Sequence, residues 1–204
     1  MSISLEQIKE LRARTGVGIH HVKDALTQSN GDMDKAIIYL REKGIAKAAK
    51  RAGNATNNGM IGHYIHGKTI GVMVELQSET DFASGSDKFQ QLAKELAMHI
   101  AAQSPDYIDI ESVPASVIET EKQVFAKDVA GKPANIAEKI LEGKLSKFYE
   151  DAVLLEQPYV RDDTKKVKDL LNEYVAALGE SIRIKRFIKM QLGLEPIHAV
   201  AVEN

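Results

Sequence analysis

Apolar residues recur along the first forty positions at the three-and-four spacing of amphipathic helices. Leu5, Ile8 and Leu11 form the first stripe, behind Ser4 and Gln7 in capping-box register. Thr15-Gly16-Val17-Gly18 ends it. Ile19, Val22 and Leu26 predict a second short helix that stops at Asn30-Gly31, and Asp32 caps a third that carries Met33, Ile37 and Leu40 before Gly44. Residues 3–43 are therefore expected to make a compact three-helix unit, small enough to be marginal alone. From Lys43 to Arg51 the chain is basic and Ala-rich and is expected to be a solvated linker helix. It then passes into the polar run Gly53-Asn54-Ala55-Thr56-Asn57-Asn58-Gly59, which places a domain boundary there: residues 1–53, then 54–204.

Past that run the period changes to two. Ile70, Val72, Val74 and Leu76 alternate strictly, and Met60 to His66 pairs with them across Gly67-Lys68 as a β-hairpin. Phe89, Leu92, Leu96 and Ile100 return to helical spacing ahead of Pro105. Two further helical runs, at about 113–149 and split by Gly131-Lys132-Pro133, predict an antiparallel helical hairpin with heavily charged faces. Val167 to Leu178 is one more amphipathic helix, with Gly179 as its stop. A last strand is expected to put Ile182, Ile184, Ile188 and Met190 on one face, opposite Arg183, Lys185, Phe187 and Lys189. The fold class is α+β, with a small antiparallel sheet.

Composition narrows the chemistry. The 204 residues are 44% hydrophobic and 27% charged, with no Cys and no Trp, which leaves no disulfide framework, thiol nucleophile or Cys-based zinc site. Lys and Arg number 27 against 29 Asp and Glu, so no global field gathers nucleic acid or anionic lipid. No apolar stretch approaches the ~18 residues of a membrane span, and charge alternates with apolar residues from the start, so the expectation is a mature cytoplasmic chain.

Gly62-His63-Tyr64-Ile65-His66-Gly67-Lys68-Thr69 matches the phosphate-loop pattern letter for letter. Its context is that of a hairpin, with strand-like residues inside the motif and an alternating strand after it. Nucleotide binding through Gly62 to Thr69 stays as an alternative. Gly16-Val17-Gly18 lacks a preceding strand and the third glycine of a dinucleotide fingerprint. His20-His21 and His63/His66 have poor geometry for one metal, and His99 suits a hydrogen-bonded core imidazole. No serine sits in a nucleophile elbow and no carboxylate pair is singled out, so neither an enzyme nor a cofactor is expected. The basic run lacks the interleaved aromatics of an RNA-binding surface. One stretch resists a bland explanation: Glu79-Thr80-Asp81-Phe82-Ala83. Phe82 has no apolar neighbours at a helical or strand period, so it is either tucked under its own loop or an anchor for a partner's pocket.

Several segments resemble, in family order, the elongation factor Ts family. They are Glu10 to Gly18 with Lys23-Asp24-Ala25-Leu26, Ala46 to Gly53, His66 to Val72, Glu79-Thr80-Asp81-Phe82, Ala97 to Ala102 and Gly131-Lys132-Pro133. The resemblance covers nearly all of residues 3–192. It implies a ubiquitin-associated-like first domain, an α+β core with a helical hairpin, and nucleotide exchange on the translational GTPase elongation factor Tu in its GDP-bound and nucleotide-free forms. It further implies that Thr80, Asp81, Phe82 and Ala83 intrude near the GTPase's magnesium and phosphate region, with Phe82 as the wedge, and that Arg12, Ile19 and His20 add contacts. Ala83 stands where Val is commoner, and Ile19-His20-His21-Val22 where many members carry Met-Met-Asp-Cys. Long members carry two similar core halves. This chain supplies one, which implies a homodimer. An adaptor of the ubiquitin-associated type, without exchange activity, is the competing expectation.

Overall fold

The computed structural model describes residues 3–129 and 132–202. In chain order it runs α1 (Leu5–Thr15), α2 (Ile19–Gln28), α3 (Met33–Arg51), β1 (Asn58–His66), β2 (Ile70–Ser78), α4 (Asp81–Ser84) and α5 (Asp87–Gln103). There follow α6 (Ala115–Val129), α7 (Ala134–Ala152), β3 (Pro158–Tyr159), β4 (Asp162–Lys166), α8 (Val167–Leu178), β5 (Ile182–Gln191) and β6 (Ile197–Val200). Helices and a small sheet together make the α+β class that the periodicity predicts. Two compact units emerge: Met1–Gly59 with Gln77–Leu92 and Asp169–Arg183, and Met60–Leu76 with Ala93–Lys168 and Ile184–Asn204.

The first unit starts at its cap. The Gln7 N–H donates to Ser4 Oγ at 3.1 Å and the Ser4 N–H donates to Gln7 Oε1 at 2.9 Å, closing the capping box. Gly16 ends α1 in the left-handed region, at φ 66°, where glycine carries no steric penalty. Ile8, Leu11, Val22, Leu26 and Leu40 then interlock as the core of α1 to α3. The third helix and the expected linker helix are one: α3 runs without a break through Gly44 to Arg51. Gly44 is a packing position. A Cβ there would meet Ala176 Cβ at 3.2 Å, so the bare backbone lets α3 lie close to α8, and the Arg41–Asp169 ion pair at 2.7 Å joins the same two helices.

In the second unit the period-two stretch folds as the expected hairpin. Gly67 and Lys68 both have positive φ, 53° and 67°, and the Thr69 N–H donates to the His66 carbonyl at 3.1 Å, a type I′ turn. The phosphate-loop letters therefore spell a strand and a turn, with β2 following where a phosphate site needs a helix. Gly62 has its own reason: a Cβ would stand 2.7 Å from Ala93 Cβ and 2.9 Å from Ala93 O, so β1 can approach α5 only without a side chain. The sheet order is β1-β2-β5-β6, and β5 and β6 pair antiparallel, with Phe187 opposite Ala199.

Strand β5 corrects one expected face. Ile182, Ile184, Phe187 and Lys189 are buried, whereas Met190 is 61% exposed. The alternation slips by one residue between Ile184 and Phe187, and a one-residue slip exchanges the two faces. Lys189 is consequently buried, and its ammonium donates to the Ala101 carbonyl at 2.9 Å and to the Ser104 hydroxyl. That places a cation among the unpaired carbonyls at the end of α5, a favourable position for it, although burial lowers its pKa. His99 is fully buried: Nδ1 accepts from the Val160 N–H at 3.2 Å, leaving Nε2 to donate to Gln157 Oε1 at 2.9 Å. Helices α6 and α7 pack on each other as the expected hairpin, with Lys144 Nζ 5.2 Å from the Phe125 ring centroid. Of the Gly131-Lys132-Pro133 turn, Gly131 lies outside the described residues; Pro133 precedes α7. The short β3–β4 hairpin and β6 have no counterpart in the sequence pattern. Among the described residues no helix is long and apolar enough to cross a membrane.

Substituting Gly62 by Val forces β1 off α5, and overpacking of this kind costs about 1–3 kcal/mol. The expected outcome is a melting temperature lowered by several degrees, measured by circular dichroism.

Candidate functional site

Where β2 ends, backbone polarity dictates what happens next. Strand β2 finishes at Ser78, and Thr80 then caps a single helical turn, Asp81–Ser84, by accepting the Ala83 N–H on its hydroxyl at 3.2 Å. The stretch expected as a loop is thus a capped turn of helix. A turn this short cannot bury both sides. Ala83 faces inward at 4% exposure, and Phe82, its neighbour, is thrown outward at 88%, the most exposed large apolar side chain among the described residues. The two fates left open for Phe82 are thereby separated: it is not tucked under its own turn. Asp81 is exposed beside it, and the Ser84 hydroxyl donates back to the Asp81 carbonyl at 3.0 Å.

Two carboxylates fix the backbone ahead of that turn. Glu79 accepts from Arg51 Nη1 at 2.7 Å, from Asn54 Nδ2 at 3.0 Å and from the Ser181 N–H at 2.5 Å, while the Asn58 amide donates to the Glu79 carbonyl at 2.8 Å. The Ser181 N–H above all holds the Glu79 carboxyl below its ordinary range; burial opposes it, and Arg51 and Asn54 add to the lowering. Glu180 accepts from the Thr80 N–H at 3.0 Å and from the Thr80 hydroxyl at 2.6 Å. Each glutamate therefore binds the amide of the residue that follows the other. Charge-assisted bonds of this type are the stronger class, which suits a segment exposed to competing water.

The remaining residues singled out from sequence lie in the same unit. Arg12 is exposed in the last turn of α1, and Ile19, at 44% exposure, and His20 open α2. Lys88, in the first turn of α5, donates to the Gly16 carbonyl at 2.5 Å and ties the α1–α2 turn to the segment that follows Phe82. No sequence signal assigns Arg51, Asn54, Asn58, Glu180 or Ser181 to this site. Asn54 and Asn58 were submerged in a polar run, and no local period marks a partner about a hundred residues away. Among the described residues no group of three or more His, Asp or Glu is placed to hold a metal ion.

The arrangement presents one exposed aromatic side chain, Phe82, on a turn whose backbone is hydrogen-bonded at Thr80 and Ala83. The family model described as Elongation factor TS matches residues 6–194. Elongation factor Ts of Nitratidesulfovibrio vulgaris is 50% identical over 199 residues, covering 96% of this chain and 99% of that one. Its counterpart in Thermotoga sp. strain RQ2 is 51% identical over 194 residues, covering 95% and 98%. The protein of the same name in Fervidobacterium nodosum is 49% identical over 197 residues, covering 95% of this chain and all of the relative. The chain belongs to the elongation factor Ts family.

The Glu79 carboxylate has a signature of its own. Because its folded pKa lies below the ordinary value of 4.5, it contributes stability that is present above that pH and is lost as pH falls through the folded pKa. Glu79→Gln is expected to melt lower than wild type at pH 7, with the gap closing progressively below about pH 4.5; paired melts across that range check it.

Proposed function

We propose that this chain accelerates GDP release from the translational GTPase elongation factor Tu, and that Phe82 is the wedge. The observation that carries the reading is an 88% exposed Phe on a turn whose backbone is fixed by two glutamates. Burying an exposed Phe is worth about 1.5–3 kcal/mol, so an unburied one on a fixed turn is a store of binding energy for a partner's pocket. In the complex Thr80 and Asp81 bring the turn up to the GTPase, Phe82 enters, and Ala83 remains inside as the pivot that keeps Phe82 turned out. Arg12, Ile19 and His20 add a second contact.

The work done is mechanical and electrostatic. Magnesium in the GTPase demands near-octahedral oxygen ligation, so moving its supporting residues by a fraction of an ångström weakens the hold on nucleotide. The factor shifts the GTPase only by its differential affinity for the nucleotide-free form, and nucleotide must weaken factor binding by the same ratio. The chain therefore engages both the GDP-bound and the nucleotide-free GTPase, more tightly the latter. No covalent step on this chain is required.

A second copy of the chain completes the assembly in this reading. The sheet leaves Ile61, Ile65, Met73, Met190 and Val200 exposed, and a cleft of about 380 Å³ opens between Met73, Ile188 and Val200. The cleft also holds the Glu75–Arg186 ion pair at 2.6 Å. An isologous two-fold contact lays such a face on its own copy, in the place of the second core half that long members carry.

Phe82→Ala is expected to slow the maximal release of a fluorescent GDP analogue from elongation factor Tu by roughly ten- to a hundredfold, the kinetic equivalent of the buried area, without lowering the melting temperature. A rate equal to wild type would remove the wedge role, and a wild-type chain that releases no GDP would leave the adaptor reading. Light scattering at micromolar concentration is expected to give twice the chain mass; a monomer with full exchange activity would count decisively against the dimer.

A further inference from the structure

The geometry points to Glu180 as a positioning residue for Phe82, one that acts through Thr80 and touches nothing of the partner; this inference rests on the wedge reading above. The chemistry is in the division of labour at one hydroxyl. Thr80 Oγ1 has a single proton and two lone pairs. It donates that proton to Glu180 Oε1 at 2.6 Å, and an oxygen lone pair is then free to accept the Ala83 N–H at 3.2 Å and start the helical turn. The second Glu180 oxygen takes the Thr80 N–H at 3.0 Å, so both backbone direction and side-chain rotamer of Thr80 are set by one carboxylate. Phe82 is two residues on, and its outward aim follows from where that turn begins.

Glu180 is itself held in place. It follows Gly179, whose φ of 80° and N–H bond to the Val175 carbonyl at 2.9 Å close α8, and it precedes Ser181, whose N–H is taken by Glu79. The carboxylate has little freedom at either side. Without it, Thr80 regains its rotamers, and a wedge that arrives at variable angles spends binding energy on being ordered. The loss should therefore fall on the rate within the complex more than on formation of the complex.

The test uses the full-length chain and stopped-flow release of a fluorescent GDP analogue from elongation factor Tu over a range of factor concentrations. Glu180→Ala is expected to lower the saturating rate roughly three- to tenfold, the scale of a lost exposed charge-assisted bond, with the half-saturating concentration changed less than twofold. Glu180→Gln, whose amide oxygen still accepts one donor, is expected to recover part of the rate. Thr80→Val should reproduce the loss and Thr80→Ser should reverse it, which keeps the inference testable if the Glu180→Ala chain folds poorly. A Glu180→Ala/Thr80→Val double variant should be no slower than the slower single variant. Phe82→Ala in the same series separates the two levels. If it is slow while Glu180→Ala and Thr80→Val match wild type, or if the two losses multiply in the double variant, the positioning role is overturned and the wedge stands. If Phe82→Ala matches wild type, both fall.

Discussion

The site depends on an exchange of carboxylates and amides between two dipeptides far apart in the chain. Glu79-Thr80 follows β2, and Glu180-Ser181 precedes β5; the Glu79 carboxylate takes the Ser181 N–H and the Glu180 carboxylate takes the Thr80 N–H. A turn of four residues that buries only Ala83 has little core to hold it, and single neutral hydrogen bonds at a surface give way to water. Two ionised acceptors, each also bonded to a second donor, supply what burial cannot. The turn can then keep an apolar side chain pointed at solvent, against the tendency of such a side chain to fold back on its own backbone.

Much of the fold was legible because helices and strands carry their periods locally. The capping box at Ser4, the stop at Gly16, the hairpin turn at Gly67-Lys68 and the helical pair α6–α7 all lie within a few residues of the signals that predict them. What escaped was set by contacts distant in sequence. Gly44 looked like a helix stop because glycine is one by local propensity, and it is overridden by close approach to Ala176. The inward face of β5 could not be fixed by alternation alone, because Phe187 and Ile188 offer competing apolar parities and burial of Phe187 decides between them. For the candidate site, the lone Phe82 stood out as an apolar residue without a period. Its supporting residues did not, since Asn54, Asn58 and Glu180 are ordinary polar residues until the fold brings them to Glu79 and Thr80.

Gly62 shows how one letter can satisfy two different physical demands. In a phosphate loop a glycine lets backbone amides reach an anion; here the missing side chain lets a strand lie against the Ala93 turn of a helix. Lys68 belongs to the turn, in the left-handed conformation and not in line with a helix axis. The motif is thus resolved by the element that follows it, which is a strand.

The buried imidazole of His99 carries a consequence for proton uptake. In the native chain its Nδ1 is an acceptor and burial lowers its pKa below 6.5, so the folded protein resists taking a proton that the unfolded chain binds readily. Below about pH 6.5 each unfolding event therefore draws a proton from solution at His99, and stability declines as pH falls through that window. Mild acidification thus costs stability through His99 first, before the Glu79 carboxylate beneath Phe82 comes into play below about pH 4.5.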